Sequence, residues 1–299
     1  MGNAVGNQVL FPAPSPCYDH DLRGLIWDTQ PSTNRTRPFL YVPFQSEDGS
    51  KVPTIIYLHA NACDLGGMTH ELHDISRSCG CHVLAVEYPG YGLFNEEEST
   101  TATTAEGINE ASEHAVELLL GQGVHPSDMI FFGRSIGTGP ATRLAKLFKS
   151  RGWVPYGLIL QSPYASIHRI VSEYWRMGTW FIDNHWDNKR GIEKLGDDVA
   201  LLIIHGEQDE IIPVSHGKEL FTSSASRKKH LVCPVHATHN EWDLFQDIIK
   251  PVRDFVKRYR VAAALLQQTG RVEGGIPEYQ RLRMPSSSSA LASPMMRGL

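Results

Sequence analysis

Apolar residues recur along this chain in short unbroken runs, separated by longer stretches in which they return every three or four positions. Val52 to Leu58, Val83 to Tyr88, Met129 to Phe132, Tyr156 to Gln161, Ala200 to Ile204 and His230 to Cys233 are runs of the first kind. Apolar on successive residues rather than alternately, they suit strands covered on both faces. Arg37 to Phe44 reads as an earlier strand that leads into a turn at Glu47-Asp48-Gly49. The longer stretches read as helices. Met68 to Ser78 has the length of a crossover, and Thr103-Thr104-Ala105-Glu106 forms a capping box ahead of a stripe of Ile108, Ala111, Ala115, Leu118 and Leu119. Pro140 opens a helix that continues through Leu144 and Leu147, and a final helix from about Trp242 carries Phe245, Ile248, Ile249, Val252, Phe255 and Val256, with Pro251 as a bend. Strand alternating with helix predicts an α/β domain whose mostly parallel sheet has helices on both faces.

The rhythm is interrupted in three places, and these set the expected organisation. Residues 1–36 form a head, and 37–266 the domain. An insertion at about 165–195 carries Trp175, Trp180, Phe181 and Trp186, too aromatic for a plain linker. It is read as a small helical cap whose four aromatics are candidate substrate-binding walls, some of them serving as core. From 267 to 299 the composition turns to Gly274-Gly275, Pro277, Pro285 and a run of serines, which predicts a disordered tail.

Composition narrows the chemistry. With 28 Lys and Arg against 33 Asp and Glu, the formal charge is −5 and no block of like charge marks a nucleic-acid surface. Five cysteines without metal-ligand spacing point to a reducing compartment and to no metal site, with Cys79-Gly80-Cys81 at a helix-to-strand joint. No long apolar span or signal region is present, so the body is expected in the cytoplasm or on the cytoplasmic face of membranes. Met1-Gly2-Asn3 makes Gly2 a candidate for myristoylation, although position 6 is Gly rather than Ser or Thr. One such chain holds a membrane only reversibly, and Cys17 is the candidate for a second.

Gly133-Arg134-Ser135-Ile136-Gly137 follows one apolar run directly and precedes a helix. A tight strand-to-helix turn flanked by glycines presents its serine as a nucleophile; alone, the same pattern also suits a turn serine or helix cap. Two later segments shift the balance. His205-Gly206-Glu207-Gln208-Asp209 follows Ala200 to Ile204, and Thr238-His239-Asn240 follows His230 to Cys233. Serine, acid and histidine thus come in the chain order of an α/β-hydrolase, each beyond a strand. Asp183, Asp187, Asp197 and Asp198 compete as the acid, and His205, His216 and His236 as the base. Asp209 is preferred for its place after a buried strand, His239 for its place before the last helix, and His205 reads as structural. The backbone N–H of Ile136 is the expected first oxyanion donor. A second comes from His59-Ala60-Asn61-Ala62, with Asn61 preferred and Ala60 the alternative.

These segments, with Glu87-Tyr88-Pro89-Gly90-Tyr91-Gly92, Gln161-Ser162-Pro163-Tyr164, Trp186-Asp187-Asn188 and Val214-Ser215-His216-Gly217, resemble the α/β-hydrolase-domain-containing protein 17 family of protein depalmitoylases. The likeness runs from about Leu10 to Tyr259. It implies an α/β-hydrolase fold with a small aromatic-rich helical cap, and hydrolysis of acyl thioesters on protein cysteines by Ser135, Asp209 and His239. S-acylated proteins or acyl esters would be the substrates, with no cofactor. A lipid or small-molecule carboxylesterase is the alternative within the class, and an inactive membrane adaptor the alternative outside it. Three departures stand out: Ala60 where glycine is common, His236-Ala237-Thr238 for a glycine-rich lead, and Cys17 alone in place of a cysteine cluster.

Overall fold

The computed structural model describes residues 13–31, 33–47, 49–95, 103–174 and 185–268. Gly2, Trp175, Trp180, Phe181 and the tail beyond 268 lie outside the described residues. Eight described strands form one sheet: β1 (Leu25–Gln30), β2 (Arg35–Val42), β3 (Thr54–Leu58), β4 (His82–Val86), β5 (Met129–Arg134), β6 (Gly157–Gln161), β7 (Leu201–Ile204) and β8 (Lys229–Val232). Their spatial order is β1-β2-β4-β3-β5-β6-β7-β8. From β4 to β8 every neighbouring pair is parallel, whereas β1–β2 and β2–β4 are antiparallel. The unbroken apolar runs have the predicted consequence, since every residue of β3, β6 and β7 is buried.

Helices cover both faces. Leu65–Cys79 (α1) and Lys250–Gln268 (α7) lie over one, where Leu72, Ile75, Val252 and Phe255 pack on Tyr57 and Phe132. Ala105–Gly121 (α2) and Thr138–Ser150 (α3) lie over the other, where Ile108, Ala115 and Leu144 pack on Phe131 and Leu158. Shorter helices complete the chain: α4 (Ile167–Tyr174), α5 (Asn188–Glu193) and α6 (Ser215–Ser223).

Local chemistry differs from the sequence reading in three places. Strand β1 precedes the first expected strand; its mixed residues are half-buried at the sheet edge, so no apolar run marks it. The cap shifts by one, and the box is replaced by a simple N-cap. Thr104, not Thr103, caps α2 by accepting from Gly107 N–H, while the Thr103 hydroxyl donates to Pro89 O. The last helix opens as a π-turn over Leu244–Ile249 and becomes α-helical at Lys250, just ahead of Pro251. Proline offers no N–H to the carbonyl four residues back, which suits a change of bond pattern at this point.

Candidate active site

All of the central strands end at one edge of the sheet, and the loops beyond β3, β5, β7 and β8 carry the residues singled out above. Ser135 sits on the turn after β5 with φ +52°, a left-handed conformation unusual outside glycine. The flanking glycines allow that turn. A Cβ on Gly133 would lie 2.6 Å from the Gly137 carbonyl carbon, and one on Gly137 would lie 2.7 Å from that of Leu58. The serine turn is therefore wedged between its own helix and the end of β3.

Three side chains meet there although they come from distant parts of the chain. Ser135 Oγ is 3.1 Å from His239 Nε2, and His239 Nδ1 is 2.9 Å from Asp209 Oδ2 and 3.1 Å from Oδ1. The carboxylate accepts further bonds from Ile212 N–H at 2.7 Å and Ile211 N–H at 3.0 Å. Burial opposes ionisation of Asp209, but hydrogen bonds from His205, His239 and Ile212 outweigh it and hold the group well below the usual carboxylate range. An ionised Asp209 accepts from Nδ1–H, which leaves Nε2 as the acceptor facing the serine hydroxyl. Of the competing acids, Asp187 instead caps α5, Asp198 pairs with Lys149 and Asp197 with Arg227. Asp183 lies outside the described residues. His216 faces Glu173, and His236 faces Asp247.

The oxyanion candidates lie on either side of the serine. Ile136 follows it directly and is buried. Across from it, a Cβ on Gly137 would come 2.8 Å from His59 O, so the His59–Asn61 loop rests on the serine turn. Asn61 Oδ1 accepts from Tyr91 OH at 2.8 Å, a contact that anchors the loop. Beneath it, His59 Nε2 is 3.1 Å from Glu87 Oε1, both side chains fully buried, and the Tyr88 ring stacks on His59 at 3.8 Å. Tyr18 OH donates to Glu87 Oε2 at 2.7 Å. The sequence reading missed these supports, as it missed Glu210, whose Oε2 accepts from His239 N–H at 3.3 Å. The signal available for Glu87, Tyr88 and Tyr91 was their adjacency to a strand end; Tyr18 offered none.

Trp186 is buried in the body. Its indole lies against Gly139, where a Cβ would approach Cγ to 2.5 Å, and Nε1 donates to Asn109 Oδ1 at 3.0 Å. Cys17 is tied to the start of α1: its N–H and its thiol each lie 2.7 Å from the Asp64 carboxylate. Desolvation and that carboxylate push the Cys17 thiol up to about 11. Among the described residues, no cluster of His, Cys, Asp and Glu could hold a metal ion, and no helix is long and apolar enough to cross a membrane.

No protein-family model matches the chain. Among curated proteins, the human α/β hydrolase domain-containing protein 17B is 30% identical over 206 residues, which is 69% of this chain and 66% of that protein. The chain belongs to the α/β-hydrolase domain proteins. A second relative, the lysophosphatidylserine lipase ABHD12 of Gallus gallus, is 28% identical over 221 residues, or 68% of this chain and 56% of the lipase. The chain thus spans just under two thirds of the one relative and little more than half of the other. Among solved structures, a soluble variant of the Saccharomyces cerevisiae monoglyceride lipase superposes with a TM-score of 0.60 at 15% identity, covering 81% of this chain and 97% of the lipase. That likeness carries the α/β-hydrolase fold.

Proposed function

We propose that this chain is a serine hydrolase that cleaves acyl thioesters or esters, with S-acylated proteins as its substrates. The observation that carries the reading is the unbroken line from Ser135 Oγ through the His239 ring to the Asp209 carboxylate at hydrogen-bond distances. A serine hydroxyl is a weak nucleophile until an imidazole takes its proton. Here His239 Nε2 takes that proton as Oγ attacks the acyl carbonyl, and Asp209 holds the imidazolium. The oxyanion that forms is met by the N–H of Ile136 and by that of Asn61, or of Ala60 in the alternative geometry. His239 then protonates the departing thiolate or alkoxide, leaving the acyl group on Ser135. Water repeats the sequence with His239 as base and releases a fatty acid.

Protein thioesters are favoured over other acyl substrates by the relationship to the domain-17 proteins and by the quoted motifs. The lipase relative supports the second reading, a lipid or small-molecule carboxylesterase. Trp175, Trp180 and Phe181 are proposed as acyl-chain walls, and Gly2, with Cys17, as the acylated attachment to a membrane surface. A fluorophosphonate probe should label the wild type and not Ser135→Ala. An intact S-palmitoylated protein assayed beside a panel of short and long esters separates the two readings, since a depalmitoylase turns over the protein thioester preferentially. A folded wild type that neither labels nor hydrolyses any of them is an inactive adaptor. Mass spectrometry of the N-terminal peptide from native cells tests Gly2; a free amine throughout refutes that part.

A further inference from the structure

His205 was read from the sequence as a structural residue at the end of β7. Its surroundings give it a more specific task. The ring is fully buried, and Nε2 lies 2.7 Å from the Ile212 carbonyl oxygen. A carbonyl only accepts, so Nε2 carries the proton. The same nitrogen lies 3.4 Å from Asp209 Oδ2. Its N–H is therefore shared between the carbonyl that ends the acid-bearing turn and the carboxylate oxygen that also faces His239. Nδ1 has no hydrogen-bond partner among the described residues. It is packed against Gly217 of α6, where a Cβ would come within 2.6 Å of it.

Asp209 Oδ1 is fixed by the Ile211 and Ile212 N–H groups and also lies 3.1 Å from His239 Nδ1, whereas Oδ2 meets His239 on one side and His205 on the other. Removal of His205 leaves that second oxygen with a single partner and opens the turn from His205 to Ile212. The following residue matters as well. A Cβ on Gly206 would lie 2.7 Å from the Ala237 carbonyl carbon, and Gln208 N–H donates to Ala237 O at 3.0 Å. The acid turn is thus pressed onto the loop that leads to His239, and a shift in one moves the other.

We propose that His205 is a positioning residue for the acid of the triad, clasping the Asp209 turn and aiming its carboxylate at His239. This inference rests on the serine-hydrolase reading given above. Three variants separate its parts. His205→Phe keeps the ring volume and removes the donor. His205→Gln restores an N–H at the Nε2 position. Gly217→Ala displaces the ring while leaving every polar group of the turn in place. Each is assayed for kcat per active site titrated with the fluorophosphonate, and for KM, on one long-chain thioester. The His239 Nδ1 proton is followed by NMR in parallel, with His239→Ala as the assignment control.

A misplacement of the acid by a fraction of an ångström to 1 Å costs up to about 10²-fold in rate. His205→Phe and Gly217→Ala should therefore lose about tenfold or more in kcat per titrated site with KM nearly unchanged. His205→Gln should recover most of that loss. The downfield Nδ1 proton should move in the first two variants and return in the third. A merely structural histidine would lower the number of titratable sites and the melting temperature, yet leave kcat per site and the proton shift at their wild-type values; that result overturns the inference. If no substrate is turned over, the hydrolase reading has failed, and the NMR comparison still decides the geometry. An unmoved proton in His205→Phe, or none in the wild type, refutes the positioning role.

Discussion

Substitution of Gly137 by alanine is the sharpest test of how the serine turn is built. A Cβ at this position would stand 2.7 Å from the Leu58 carbonyl carbon and 2.8 Å from His59 O, where ordinary contact begins at 3.4 Å. Both obstacles are backbone, at the end of a fully buried central strand, so neither swings aside as a side chain would. Leu58 O lies closer still, so the serine turn and the oxyanion loop must separate by about 1 Å or more. Overpacking of this kind costs about 1–3 kcal/mol of stability. The catalytic penalty is larger, because the displaced groups are those that must converge on one carbonyl, and a 1 Å error there is worth about 10²-fold. Gly121→Ala is the matched control: a Cβ there meets nothing within 4 Å, and a helical alanine is favoured by about 0.5–1 kcal/mol. Measurement of kcat, KM and thermal melting on both variants should give a slow, destabilised Gly137→Ala and an active Gly121→Ala at least as stable as wild type. A Gly137→Ala protein with wild-type kcat and melting temperature would refute the wedge between turn and strand.

Three further predictions concern the acid and two of the aromatics. Asp209 is held below its ordinary value of 3.8, so its ionised form contributes stability fully above that pH and loses it progressively as pH falls toward the lower folded value. The gap in melting temperature between wild type and Asp209→Asn should be constant at neutral pH and close in acid; the same variant should lose about 10⁴-fold in rate at neutral pH through the wrong imidazole tautomer. A gap that widens in acid would contradict the assignment. Trp186→Ala, by emptying a site packed on Gly139 and leaving Asn109 without its donor, should cost about 3–5 kcal/mol and depress acetyl and palmitoyl substrates alike. Trp180→Ala should instead hurt palmitoyl more, since each buried CH₂ is worth about 0.8 kcal/mol.

What the sequence revealed and what it hid divide along a physical line. The central strands were legible because burial on both faces demands apolar residues in succession, as in Thr54–Leu58 and Leu201–Ile204. Strand β1 was not, because an edge strand with half-buried Trp27 and Asp28 satisfies its sheet with mixed residues. The convergence of Ser135, Asp209 and His239 was legible because each follows a strand of one parallel sheet, and parallel strands end on one edge. The supports were not. Tyr18 and Glu87 are 69 positions apart, and no spacing rule joins an aromatic hydroxyl in a head segment to a buried carboxylate. Trp186 was legible only as one of two things, since an aromatic in an insertion suits a ligand wall or the core; here it is buried, lies against Gly139 and donates to Asn109.

Backbone strain gathers on that same edge. Of the four described non-glycine residues with positive φ, three follow the ends of neighbouring strands: Ala62 after β3, Ser135 after β5 and Ser162 after β6. A left-handed conformation costs a residue with a Cβ about 1–2 kcal/mol, and it persists only where the surroundings over-determine it. At Ser135 they do, through the close approaches of Gly133 and Gly137. Ser135→Ala removes the hydroxyl and keeps the strain, whereas Ser135→Gly removes both. The glycine also enlarges the unfolded ensemble, which offsets the relief by about 0.4–1 kcal/mol. Ser135→Gly should accordingly unfold at or above the denaturant midpoint of Ser135→Ala, the reverse of the order at an ordinary helix position, with both proteins inert to the fluorophosphonate. If the glycine variant is the less stable by about 1 kcal/mol, as in a helix interior, the serine turn stores no strain, and its left-handed geometry has to be credited to the two flanking glycines alone.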